Sequence, residues 1–178
     1  MNPIDIIKKY YEESSSLYNI LVNHSSDVTK KALDIAKKHP ELNIDMQFVR
    51  EAGMLHDIGI FRTNAPSIDC IGEYPYIAHG YLGSELLQKE GYPKHALVCE
   101  RHTGAGLTID EIIEQKLPLP HREMMPVSIE EQLICFSDCF FSKTHLGEER
   151  PIETIKIKLG RFGNRSVKQF TEWCELFL

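Results

Sequence analysis

Six side chains of a type that binds cations stand on apolar faces of this 178-residue sequence: His24, the adjacent pair His56 and Asp57, His79, His102 and Asp138. Asp138 falls on the stripe of "SIEEQLICFSDCFFSK" that carries Ile134 and Cys135 before it and Phe141 after it. His24 has Ile20, Leu21 and Val28 at helical spacing, His79 has Leu82 and Leu86, and His102 has Val98 and Cys99 one turn behind. The doublet in "AGMLHDIGIF" follows Val49, Ala52 and Gly53. A carboxylate or imidazole on such a face is costly unless it is partnered. Taken singly, each reads as a hydrogen-bonded core residue. Four histidines and two aspartates converging on an interior with few lysines or arginines are satisfied together by metal ions.

That number of N and O ligands exceeds one closed tetrahedral zinc site. It suits two cations that share a bridging carboxylate and leave positions open for water or substrate. The lack of thiolates among them favours iron or manganese, with zinc, cobalt, nickel or magnesium also compatible. The five cysteines form no CxxC pair; Cys135 and Cys139, four apart on a helix, read as a metal pair or as small core residues. His95 reads as structural, and His39, His121 and His145 as surface residues.

The elements that position these residues are helical, because apolar residues recur at intervals of three and four. Pro3 opens a helix to about Glu13, followed by pieces from Ser16 to Asn23 and from Ser25 to Lys38. Asp45 caps one that reaches Leu55; others run from His79 to Lys89 and from Lys94 to Arg101. Thr108 with Glu111, and Ser128 with Glu131, have capping-box spacing, the second opening a helix to Phe141. Helices over 151–160 and 164–177 complete the chain. Long turn-rich segments at 62–78 and 116–128 read as binding loops or surface padding.

The expectation is a single all-α domain over 1–178, with a motif core of about 20–145 and C-terminal helices within 151–177. The formal net charge of -6 argues against general nucleic-acid binding. The first fifteen residues lack an apolar signal-peptide centre, and no apolar run is of membrane-spanning length, so a cytoplasmic protein without a membrane partner is expected.

In order and residue type, "VNHSSDV", "HDIG", "AHGYLGSELL", "ERHTGAG" and "CFSDCFFSK" resemble the HD-domain metal-dependent phosphohydrolases, specifically the HDIG-type members with two extra histidines. The resemblance implies an HD-domain-like helical bundle with additional N- and C-terminal helices. It further implies that His24, His56, Asp57 and Asp138 hold one metal, while Asp57 bridges to a second held by His79 and His102. The implied reaction is hydrolysis of a phosphomonoester or phosphodiester of a small phosphorylated substrate of nucleotide type. "RHTG" is similar to bacterial members that split dinucleoside polyphosphates, and the absence of a GYP tripeptide after His102 disfavours cyclic dinucleotides.

Lys143, five residues beyond Asp138, is assigned with Asp57 to catalysis and, with Arg101 and Arg62, to substrate binding. A helix-dipole role for Lys143 and solvated roles for both arginines stand beside that reading. Tyr74 or Tyr76 can stack on a base or serve as an ordinary loop residue. Two other functions fit the ligand set: an HD-fold di-iron oxygenase, and a metal- or nucleotide-binding regulatory module without turnover. A homodimer is compatible with all three.

Overall fold

A computed structural model describes residues 1–178. Its helices are α1 (Pro3–Ile7), α2 (Ser16–Lys38), α3 (Met46–Leu55), α4 (His79–Lys89), α5 (Pro93–Arg101), α6 (Ile109–Glu114), α7 (Ile129–Asp138), α8 (Ile152–Leu159) and α9 (Asn164–Phe177). The starts follow the expected caps. Ser15 accepts from Tyr18 N–H, and Asp45 accepts from the N–H groups of Gln47 and Phe48. Thr108 and Glu111 form a complete capping box. Ser128 also accepts from Glu131 N–H, but the Glu131 carboxylate takes Val127 N–H instead of returning to Ser128.

Three expectations about the elements are corrected. The pieces on either side of His24 are one continuous helix, α2, because the inward stripe Leu21, His24, Val28, Ala32 and Ile35 runs unbroken through Ser25. α1 stops at Ile7 and α7 at Asp138, each short of the expected end. The chain is mostly helical but not all-α: the segment at 62–78 contains a three-stranded sheet. In it β1 (Thr63–Ala65) is central, antiparallel to β2 (Cys70–Ile71) and parallel to β3 (Tyr74–Pro75), with Asn64 opposite Ile71 and Thr63 opposite Tyr74. Strands of two or three residues are too short to show alternation, which is why periodicity misses them.

Two main apolar clusters flank the site. One joins α2, α3 and α7 to the C-terminal helices through Val28, Leu133, Phe136, Phe170, Trp173 and Phe177. The other packs Ile6, Ile7 and Tyr11 against Leu55, Ile58, Ile60 and Leu87. Tyr11 pins the turn after α3, its hydroxyl donating to the Ile58 carbonyl at 2.7 Å and accepting from Phe61 N–H at 3.2 Å. No helix is long and apolar enough to cross a membrane.

Candidate metal centre

Helix ends carry most of the candidate ligands, while His24 stands within α2. His56 follows the last residue of α3, His102 follows the last residue of α5, and His79 follows a 3₁₀ turn at Tyr76–Ala78. At such ends carbonyls lack intrahelical partners. Nδ1 of His56, His79 and His102 donates to the carbonyl three residues upstream, of Gly53, Tyr76 and Cys99, at 2.6, 2.7 and 2.7 Å; the Tyr76 carbonyl also accepts the His79 backbone N–H. With Nδ1 engaged by the backbone, Nε2 of each ring points inward, the arrangement in which backbone partners orient metal-binding histidines.

Those Nε2 atoms converge on Asp57. His56 and Asp57 are both fully buried. Asp57 Oδ2 lies 3.0 Å from His24 Nε2 and 3.1 Å from His56 Nε2; Oδ1 lies 3.4 Å from Nε2 of both His79 and His102. Each oxygen thus faces a different histidine pair. Asp138, the last residue of α7, brings Oδ1 to 2.9 Å from His24 and 3.4 Å from His56. The atoms fall into two groups, His24, His56, Asp57 and Asp138, and Asp57, His79 and His102, each tight enough to hold a metal ion.

The donor set fits cations better than it fits itself. His79 Nε2 and His102 Nε2 stand 3.0 Å apart although both rings already donate through Nδ1. Two neutral rings so arranged oppose their lone pairs. Both Asp57 oxygens and His56 Nε2 are buried without completing a hydrogen bond, and the closest charged neighbour of Oδ2 is the Lys143 ammonium. Such unpartnered buried polar atoms are rare in a folded interior. Burial drives His79 down to about 3, against the pull of Asp57, so this ring resists the proton that would relieve the clash.

Electrostatics hold the carboxylates ionised. Burial opposes the Asp57 charge, yet Lys143, with Nζ 2.5 Å from Oδ2, and then His56 keep its pKa well below the usual carboxylate range. Burial works against the Lys143 ammonium in turn, and Asp57 raises it above an ordinary lysine.

The group opens into a cavity of about 600 Å³, within the range of roughly 300–1,000 Å³ for small-molecule sites. His24, His79, His102 and Asp138 line it with Lys143, Tyr76, Thr103 and Gly104. Tyr76 stacks on His79 at 4.7 Å, whereas Tyr74 is exposed under Arg62. Both expected arginine contacts lie outside the cavity. Arg101 donates to Glu131 at 2.9 Å and Arg62 faces Glu85 at 3.7 Å, each drawn to a nearby carboxylate. Cys135 and Cys139 turn their thiols to backbone carbonyls, including that of Gly104, and belong to neither ligand group. His95 pairs with Glu51.

Sequence reasoning missed Arg150, Lys158 and Phe162, which also line the cavity. Lys158 follows exposed Ile157 and reads as part of a solvated helix face, so no local signal marks it.

The chain is similar to an uncharacterized protein of Methanocaldococcus jannaschii, 33% identical over 145 residues that cover 79% of this chain and 78% of that protein. It is also similar to tRNA (cytidine(56)-2'-O)-methyltransferases of Thermoplasma volcanium and Picrophilus torridus, 33% identical over 140 and 127 residues. These matches cover 78% and 71% of this chain but 35% and 33% of the methyltransferases, so the chain spans about a third of their length. No solved structure matches the chain. The HD domain family matches residues 21–141, the stretch that contains all six candidate ligands, and the chain belongs to the HD-domain family.

Proposed function

We propose that this protein is a metal-dependent phosphohydrolase that cleaves a phosphomonoester or phosphodiester of a small, nucleotide-type substrate. The observation that carries the reading is Asp57, whose two oxygens face separate histidine pairs beneath a cavity bordered by lysine and arginine. His24, His56, Asp57 and Asp138 would hold one divalent cation, and Asp57, His79 and His102 a second. When bound, such cations lower the pKa of water and offset charge on phosphoryl oxygens.

The chain's own residues do the rest. Backbone carbonyls fix the imidazole orientations before substrate arrives, so little reorganisation accompanies the reaction. Lys143 keeps its proton and borders both Asp57 and the cavity, which suits it to hold a phosphoryl oxygen. Tyr76 and Phe162 offer apolar faces to the organic part of the substrate. The names of the two tRNA methyltransferases support a substrate of nucleotide chemistry.

The test is phosphate release from a panel of nucleotides and phosphodiesters by protein purified without chelator, with and without dioxygen. The reading expects metal-dependent release that is indifferent to oxygen. Oxygen uptake with no phosphate release would replace it with an oxygenase, and neither activity would leave a binding module.

A further inference from the structure

The cationic part of the cavity wall lies beyond the stretch that matches the HD domain family. Arg150 and Lys158 follow residue 141, and α8 contributes Lys158 together with Ile155 and Leu159. Arg150 is anchored: its backbone N–H donates to the Phe140 carbonyl at 2.7 Å, and Nη1 donates to the Cys139 carbonyl at 3.3 Å and also to the Phe141 carbonyl. That capping contact holds it just past the helix end that bears Asp138.

Its charge is unmatched. Arg62, Arg101, Arg122 and Arg165 each face a carboxylate, whereas Arg150 and Lys158 do not; Arg50 and Arg161 also lack one but lie outside the cavity. Asp138, already engaged by His24, is the sole carboxylate lining the cavity. Backbone carbonyls fix the position of Arg150, but no carboxylate offsets its charge or that of Lys158 at the cavity, where like charges held together repel. Lys158 is exposed overall, and its pKa is lowered first by partial burial and then by the Arg150 and Arg161 charges. An apolar surface of Ile155, Leu159 and Phe162 accompanies these cations.

We propose that Arg150 and Lys158 form a second anion subsite, so that the substrate carries another phosphate besides the one placed at the histidine–aspartate cluster. This rests on reading the cavity as a phosphate-ester site. The class it names is a nucleotide with two phosphates set apart by a nucleoside, held at both ends with its apolar part against Phe162 and α8. Lys143 serves the reacting phosphate, and Arg150 and Lys158 serve the remote one.

Binding tests the subsite separately from turnover. Calorimetric titration of the purified protein would compare adenosine 5'-monophosphate with adenosine 3',5'-bisphosphate and with the 5'-phosphorylated diadenylate. At least one two-phosphate ligand should bind about tenfold tighter than the monophosphate, the scale of one charge-assisted contact. Lys158→Glu should abolish that advantage, and Lys158→Arg should keep it. Equal affinities, or an advantage that survives Lys158→Glu, would overturn the proposal. A charge-dependent preference without phosphate release in the panel would sink the hydrolase reading but not the subsite; release without the preference would do the reverse.

Discussion

Gly59 lies against the first turn of α4, so closely that a Cβ placed on it would stand 2.3 Å from the His79 carbonyl oxygen and 2.4 Å from the Gly83 nitrogen. The glycine of "HDIG" thereby brings the His56–Asp57 turn against the helix that carries His79. Gly59→Ala must push the two apart. Overpacking of this kind costs about 1–3 kcal/mol, which for a chain of this size lowers Tm by roughly 2–4 °C per kcal/mol. Metal content should fall with it, by elemental analysis. A variant with unaltered Tm and metal content would show that the contact does not position the site.

Tyr11→Phe removes both hydrogen bonds that pin the turn at Ile58 and Phe61 without touching a candidate ligand. Leaving those buried groups unpaired costs about 1–3 kcal/mol. Urea unfolding should show the loss, while metal content stays at the wild-type value.

Lys143→Met should keep its metals and fold but lower kcat by about a hundredfold, the scale of one lost charge-stabilising donor. Lys143→Arg should recover part of the rate. If Lys143→Met turns over like wild type, the lysine belongs to the resting charge balance of Asp57 alone.

The pH dependence of metal-stripped protein follows from two histidines shifted in opposite directions. Burial depresses His79 from 6.5 to about 3, so stability falls as pH drops through that window, where only the unfolded chain takes up the proton. Burial also opposes charge on His56, but Asp57 and Asp138 outweigh it and hold the ring up to about 10. Its contribution is complete below pH 6.5 and is lost as pH rises toward about 10. Metal-free stability should therefore peak near pH 6.5. Bound cations require neutral rings, so the stability gap between loaded and stripped protein should widen from pH 6.5 to 9. Urea titrations of both forms at several pH values check this, and a constant gap would contradict it.

The ligand candidates were legible because each breaks an apolar helical stripe, and a polar residue there is informative whatever surrounds it. His24 stood out in this way even though the sequence suggested a break beside it; Ser25 resembles a cap only until α2 is seen to bury its stripe without interruption. The strands at 63–75 were too short to announce themselves. Arg62 and Arg101 look like phosphate contacts next to "HDIG" and His102, but adjacency in sequence does not say which way a long side chain turns, and each found a carboxylate elsewhere. Arg150 and Lys158 were hidden for the complementary reason, because only the docking of α8 brings them to the cavity.

The central claim is that Asp57 is shared between two cations. Elemental analysis of wild type and Asp57→Ala, purified identically without chelator and compared by circular dichroism, tests it most directly. The account predicts about two metals per wild-type chain and marked loss from Asp57→Ala with the helical spectrum kept, as expected when one carboxylate serves both ions. A folded Asp57→Ala protein that retains its full metal complement would contradict it.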